Sequence, residues 1–380
     1  MAIMLEFACL IHFMLTALTA WPGQGGALLA PDINTHGFIG VLGFSYTMLL
    51  HFLVSPARYG EKTAALRRLL AILSLLLAAG ALLTNKLLLT VTGGAFLLTS
   101  ATLFFYFIPT TNRREDLFLT WAVIISLLSW LYFIYALNFS ELFGFKTRFS
   151  YVLLAFSFPM SLLLFSRYVD LLKISAKRIR LTAVLLVGGV LSMFAGMLLA
   201  WPPLKLASAV LLLLLISWYL LQAHRLREPF LLTAFIGLLL TSLTGIWYLL
   251  AYILGYGYGP GTKVVLSLHA HLAHFSWATF GIYYLLLRDQ GGVSAHGAPA
   301  TALATDGKMG HGRQQNHLLF ALLPLLTALL LLSAYLLTDI PWLPAAAVTM
   351  FLLSGLAPAR ALLKGRHLPA PRAQTTTERE

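Results

Sequence analysis

The chain has 380 residues, 59% of them hydrophobic and 10% charged, with a mean hydropathy of +0.84. That composition excludes an ordinary soluble domain and belongs to a polytopic membrane protein. The formal charge of +13 calls for no nucleic-acid partner if the basic residues sort to one side of a bilayer, and the single cysteine, Cys9, excludes an internal disulfide or a cysteine-rich metal cluster.

Apolar segments long enough to cross a bilayer are predicted near 2–21, 33–54, 64–84, 87–109, 117–138, 149–171, 181–200, 204–223, 230–254, 264–287, 317–337 and 341–358. The expected fold is therefore an all-α polytopic membrane bundle of about 12 transmembrane helices. The first segment carries Glu6 and His12, lacks a basic start, and reads as a span rather than a cleavable signal. The second opens as INTHGFIGVLGF, with His36 near its outer end. Gly37, Gly40 and Gly43 follow at three-residue spacing and give a smooth face, used more often for plain helix packing than for a flat macrocycle. His51 lies fifteen residues after His36, about 22 Å along a helix axis. For His12 and His51 the favoured reading is a hydrogen-bonded structural residue.

The sixth and seventh segments, FSYVLLAFSFPMSLLLFSRYVDLL and LTAVLLVGGVLSMFAGMLLAW, contain no histidine, and Met193 and Met197 read as core packing. The tenth, LSLHAHLAHFSWATFGIYYLLL, places His269, His271 and His274 within six residues of an otherwise apolar helix. Imidazoles at that depth are a functional signal by default, and haem iron is the expected partner. The loop 288–316 reads as flexible and the tail 365–380 as a disordered cytoplasmic segment, leaving 1–364 as one membrane domain. His224, His296, His311, His317 and His367 fall in loops or at span ends and are assigned no site.

With twelve spans, 21 of the 26 Lys and Arg fall on one side; the others are Lys86, Lys146, Arg148, Lys205 and Lys263. This sorting predicts both ends of the chain in the cytoplasm, and a bacterial inner membrane is the expected setting. The second and tenth spans then enter from the outer face, so His36 and His271 sit at similar depth. Residues two apart differ by roughly 200° around a helix, so His269 and His271 serve opposite sides, a geometry suited to two haems flanking one helix. His274 is a second donor or an alternative ligand.

The segment HAHLAHFSWATFGIYYLLL resembles the tenth span of the catalytic subunit of haem–copper oxidases, above all C-type cytochrome oxidases and nitric oxide reductases. There H-x-H is followed by Gly/Ser-Trp and a Phe-Gly-x-x-Tyr-Tyr-Leu stretch. PDINTHGFIGVLGFSY resembles their second span. The resemblance implies that His36 and His271 hold a six-coordinate haem b and that His269 holds a second haem with one open face. The copper-ligand histidines of that family are missing, so no copper is expected. The arginine pair that clamps haem propionates is also missing, since the corresponding loop reads TDIPWLP; Lys205, Lys263, Lys146 and Arg148 are the outer-side substitutes, and Glu6 is the sole acidic candidate for a proton path.

The expected function is a haem b electron-transfer subunit of a larger respiratory complex, in contact with membrane lipid. It would exchange electrons with quinol or a periplasmic cytochrome c, or sense a small gas, without reducing oxygen or nitric oxide alone. No C-x-x-C-H occurs, so a soluble c-type haem must come from another chain. Two other readings stay open: a haem- and copper-linked membrane protein of the nitric oxide response, and a proton-coupled transporter with histidine relays. The transporter reading lacks broken-helix pairs and matched half-repeats.

Overall fold

The computed structural model describes residues 3–19, 28–30, 33–53, 63–107, 117–142, 145–146, 150–172, 174–226, 229–255, 260–289, 343–356 and scattered positions between 323 and 338. The loop 288–316 beyond Asp289, most of the segment 317–337 and the tail 365–380 lie outside the described residues, as do the side chains of Glu6, His36 and His51.

The described residues are helical apart from two short antiparallel strand pairs. In order, the elements are α1 (Ile3–Thr19), β1 (Leu28–Ala30), β2 (Ile33–Asn34), α2 (Thr35–Phe38), a π-helical stretch (Ile39–Tyr46) and α3 (Thr47–Leu53). Then come α4 (Thr63–Leu82), α5 (Lys86–Phe107), α6 (Leu117–Asn138), β3 (Glu141–Leu142) and β4 (Phe145–Lys146). After these follow α7 (Ser150–Leu172), α8 (Ala176–Leu198), α9 (Pro202–Leu226) and α10 (Pro229–Ile253). The described elements close with α11 (Pro260–His271), a second π-helical stretch (Leu272–Thr279), α12 (Phe280–Asp289) and α13 (Leu343–Ser354).

Among the described residues, five helices are long and apolar enough to cross a membrane: Ala65–Leu82, Leu117–Asn138, Ala176–Leu198, Pro202–Arg225 and Leu231–Ile253. Their ends obey local chemistry. Asn85 caps α5 by accepting the Leu88 N–H at 2.9 Å, satisfying one of the donors that the first helical turn leaves open. Pro202, Pro229 and Pro260 open α9, α10 and α11, where a missing N–H costs nothing. The turns after α4 and α8 close alike. Thr84 and Ala200 take positive φ (49° and 50°), and the next residues donate back to Gly80 and Gly196 at 2.9 and 2.8 Å.

Helices adjacent in sequence pair as hairpins from α4 through α7 and again from α8 through α11, while α7 and α8 touch only marginally. The two segments that contain π-helix meet each other at those stretches. The stretch Ile39–Tyr46 also packs on α1, α4 and α7, and the stretch Leu272–Thr279 packs on α7 and α10. Aromatic side chains fill the surroundings. Trp130 stacks on Phe96 at 4.5 Å, while Trp277 lies within 6 Å of Phe165, Tyr168 and Phe235. The i→i+5 bonding of a π-helix is rare and tends to fall at functional sites. Nothing in the hydropathy pattern marked it in either segment.

Candidate functional site

Pro260 starts α11 and sets its register, so His269 and His271 fall in the last α-helical turn and His274 in the π-helical stretch that follows. The Nδ1 of His269 lies 2.8 Å from the backbone carbonyl oxygen of Thr241 on α10. A carbonyl only accepts, so Nδ1 carries the proton and the ring's lone pair sits on Nε2. His271 reaches the same state differently: its Nδ1 donates to the carbonyl of Ser267, one turn back on its own helix, at 2.7 Å. His269 is thus turned toward α10, and His271 back along α11.

Small residues make room for these rings. A Cβ built on Gly245 would stand 2.9 Å from Cε1 of His269, and one on Gly237 would stand 2.5 Å from the Ser276 hydroxyl. The Trp277 indole N–H donates to the Ser161 hydroxyl at 3.0 Å, tying this span to α7.

His274 contacts the stretch Ile39–Tyr46. Its Nε2 lies 3.0 Å from the Cβ position of Gly40, and its Nδ1 lies 3.4 Å from the Ser45 hydroxyl. The backbone of His36 belongs to α2, one residue before Gly37, and its side chain lies outside the described residues. The glycine face expected to admit a helix or a flat ring is in contact with side chains. Gly37 meets Leu153, Gly40 meets Thr16 and His274, and Gly43 meets His12, whose Nδ1 would be 2.6 Å from an added Cβ.

His12 departs from the sequence expectation. It is fully buried, but neither ring nitrogen has a hydrogen-bond partner in the described structure. Its place comes from shape: an imidazole fills the depth that Gly43 leaves open. Of the basic residues expected to replace the arginine pair, Lys205 is described, with its Nζ 5.4 Å from the ring centre of Tyr252; the side chains of Lys146, Arg148 and Lys263 lie outside the described residues.

Sequence reasoning missed Ser45, Ser267, Thr241 and Gly245. The readable signal was the run Gly237, Thr241, Gly245 at four-residue spacing, which is one small-residue face of a helix. Backbone acceptors such as the Thr241 carbonyl leave no mark in side-chain identity.

Chemically, two imidazoles with Nδ1–H committed to carbonyls are the form in which histidine ligates a metal through Nε2. Among the described residues no group of three His, Cys, Asp or Glu could hold a bare ion. Iron carried in a macrocycle needs only one or two axial ligands from the protein, a number that these imidazoles can supply. No family model matches the chain, and no curated protein matches it.

Proposed function

We propose that this chain is a haem b-binding electron-transfer subunit of a bacterial inner-membrane respiratory complex, built on twelve spans with both ends cytoplasmic. It resembles the catalytic subunit of haem–copper oxidases but carries no copper centre beside its haem. The observation that carries this reading is the pair of Nδ1–H donations, His269 to Thr241 and His271 to Ser267. Each orients an imidazole and leaves the ring's lone pair on Nε2.

In this reading His36 and His271 hold a low-spin haem b from two spans that enter the membrane from the same face, and His269 holds a second haem. A haem b bound there supplies one-electron storage. The protein's own contribution is to fix the ring tautomers and to orient the two rings. Spans six and seven offer no imidazole, so oxygen or nitric oxide reduction by the isolated chain is not expected.

The optical spectrum of the purified protein tests the reading. A reduced b-type α-band is expected, and His36→Ala and His271→Ala should each abolish the low-spin component while leaving the chain inserted. A haem-free protein, or an unchanged spectrum in both variants, overturns it. The buried, unpartnered imidazole of His12 favours one second reading, a proton-coupled transporter. That reading predicts proton uptake by vesicles containing a haem-free chain.

A further inference from the structure

The face of α10 turned to the histidine-bearing span repeats every four residues: Gly237, Thr241, Gly245. Gly237 receives Ser276, whose hydroxyl donates to the Leu272 carbonyl of its own helix. One turn along, the Thr241 carbonyl takes the His269 N–H. A further turn along, Gly245 accommodates the ring edge, with Nδ1 3.2 Å and Cε1 2.9 Å from the position its Cβ would occupy. The Thr241 hydroxyl donates backward to the Gly237 carbonyl at 2.9 Å and so does not compete for the imidazole. The Thr244 hydroxyl donates to the Leu240 or Thr241 carbonyl, each at 2.9 Å, and lies 3.4 Å from Nδ1 as a weaker neighbour.

We propose that Thr241 and Gly245 are the positioning residues of His269: together they form a seat on α10 that fixes its ring as the Nδ1–H tautomer, with Nε2 as the ligating atom, before any iron arrives. The inference rests on the haem reading above for its purpose but not for its geometry. The carbonyl selects the tautomer because it can only accept. The glycine selects the ring plane, because any Cβ at position 245 meets the imidazole well inside ordinary contact. His271 takes its acceptor from its own helix, so a shift of α10 against α11 displaces the acceptor of His269 and leaves that of His271 in place. The two histidines, two residues apart, therefore respond to different helices.

The seat is testable without a loaded protein. In the haem-free full-length chain, labelled with ¹⁵N-histidine and assigned with a His269→Gln variant, His269 should be protonated at Nδ1; a ring protonated at Nε2 overturns the proposal. In the haem-loaded chain, Gly245→Ala should weaken haem retention at this site by about 10–100-fold, the usual effect of disturbing a ligand's supporting shell. Gly188→Ala, at a helical glycine with open space around it, is the control. Unchanged retention in Gly245→Ala counts against the seat. If Gly245→Ala does not fold, the tautomer in the parent chain decides. In His269→Gly, imidazole added to the medium should restore the spectrum about 10–100-fold more effectively than N-methylimidazole, which has no N–H for the Thr241 carbonyl. Equal restoration overturns the proposal. A parent chain that takes up no haem sinks the functional reading, while the tautomer measurement still tests the seat.

Discussion

His12 and Gly43 show how one ring and one missing side chain define each other. The imidazole is wholly buried, and its Nδ1 would lie 2.6 Å from a Cβ at position 43. Adding that Cβ forces either the ring or the helix to move, so Gly43→Ala is expected to cost about 1–3 kcal/mol by overpacking. His12→Ala removes the obstacle, so the double variant should be less destabilised than the sum of the single variants, with a coupling of about 0.5–3 kcal/mol. Thermal unfolding in detergent measures this, and strictly additive effects would show that the two residues do not press on each other. His12 stood out in the sequence as an isolated polar residue in an apolar run. Its pairing with Gly43 did not, because the two belong to different helices and only packing joins them. The reverse holds for Thr241: its part is played by a backbone carbonyl that every residue type possesses.

Helix ends reveal where local rules were overridden. The turns after α4 and α8 put Thr84 and Ala200 at φ of 49° and 50°, where glycine is the usual choice. An L-residue there costs about 1–2 kcal/mol. Ala200→Gly should relieve that strain while adding about 0.4–1 kcal/mol of unfolded-chain entropy, leaving a net gain of about 0.5–1 kcal/mol. A raised unfolding temperature for Ala200→Gly is the expected result, and a lowered one would mean that the side chain's own contacts outweigh the strain. Because these turns carry no glycine, the sequence marked the first by Asn85 and Lys86 and the second by Pro202 and Pro203. Hydropathy was enough to locate the elements to within a few residues: α6 covers Leu117–Asn138, where 117–138 was expected. It gave no sign of the π-helical stretches Ile39–Tyr46 and Leu272–Thr279. The two stretches meet each other around Gly40, Ser45 and His274, and that contact is tertiary.

Across the whole molecule, burial is uneven in a way that bears on partners. In the apolar window of α6, 56% of residues are buried inside the protein, against 28% in that of α9 and 33% in that of α10. The outward residues there include Leu214, Leu221, Leu240, Leu243 and Trp247, an apolar face that lipid or another membrane chain must cover. The proposed function argues for another redox chain somewhere on the molecule. A haem that carries electrons needs a donor and an acceptor, and this sequence has neither C-x-x-C-H nor a cysteine cluster. Gentle solubilisation followed by native mass determination should therefore yield the chain together with at least one redox-active subunit. Leu214→Arg then discriminates between the two coverings. Against lipid, a mid-helix arginine costs about 2.5–3.5 kcal/mol on insertion and lowers the amount of chain in the membrane without changing what co-purifies. Against a partner, it strips that partner from the chain that does insert. A stable monomer that holds haem, is reduced directly by quinol and brings no other chain with it would defeat the assembly reading, and the face of α9 and α10 would then be a lipid surface and nothing more.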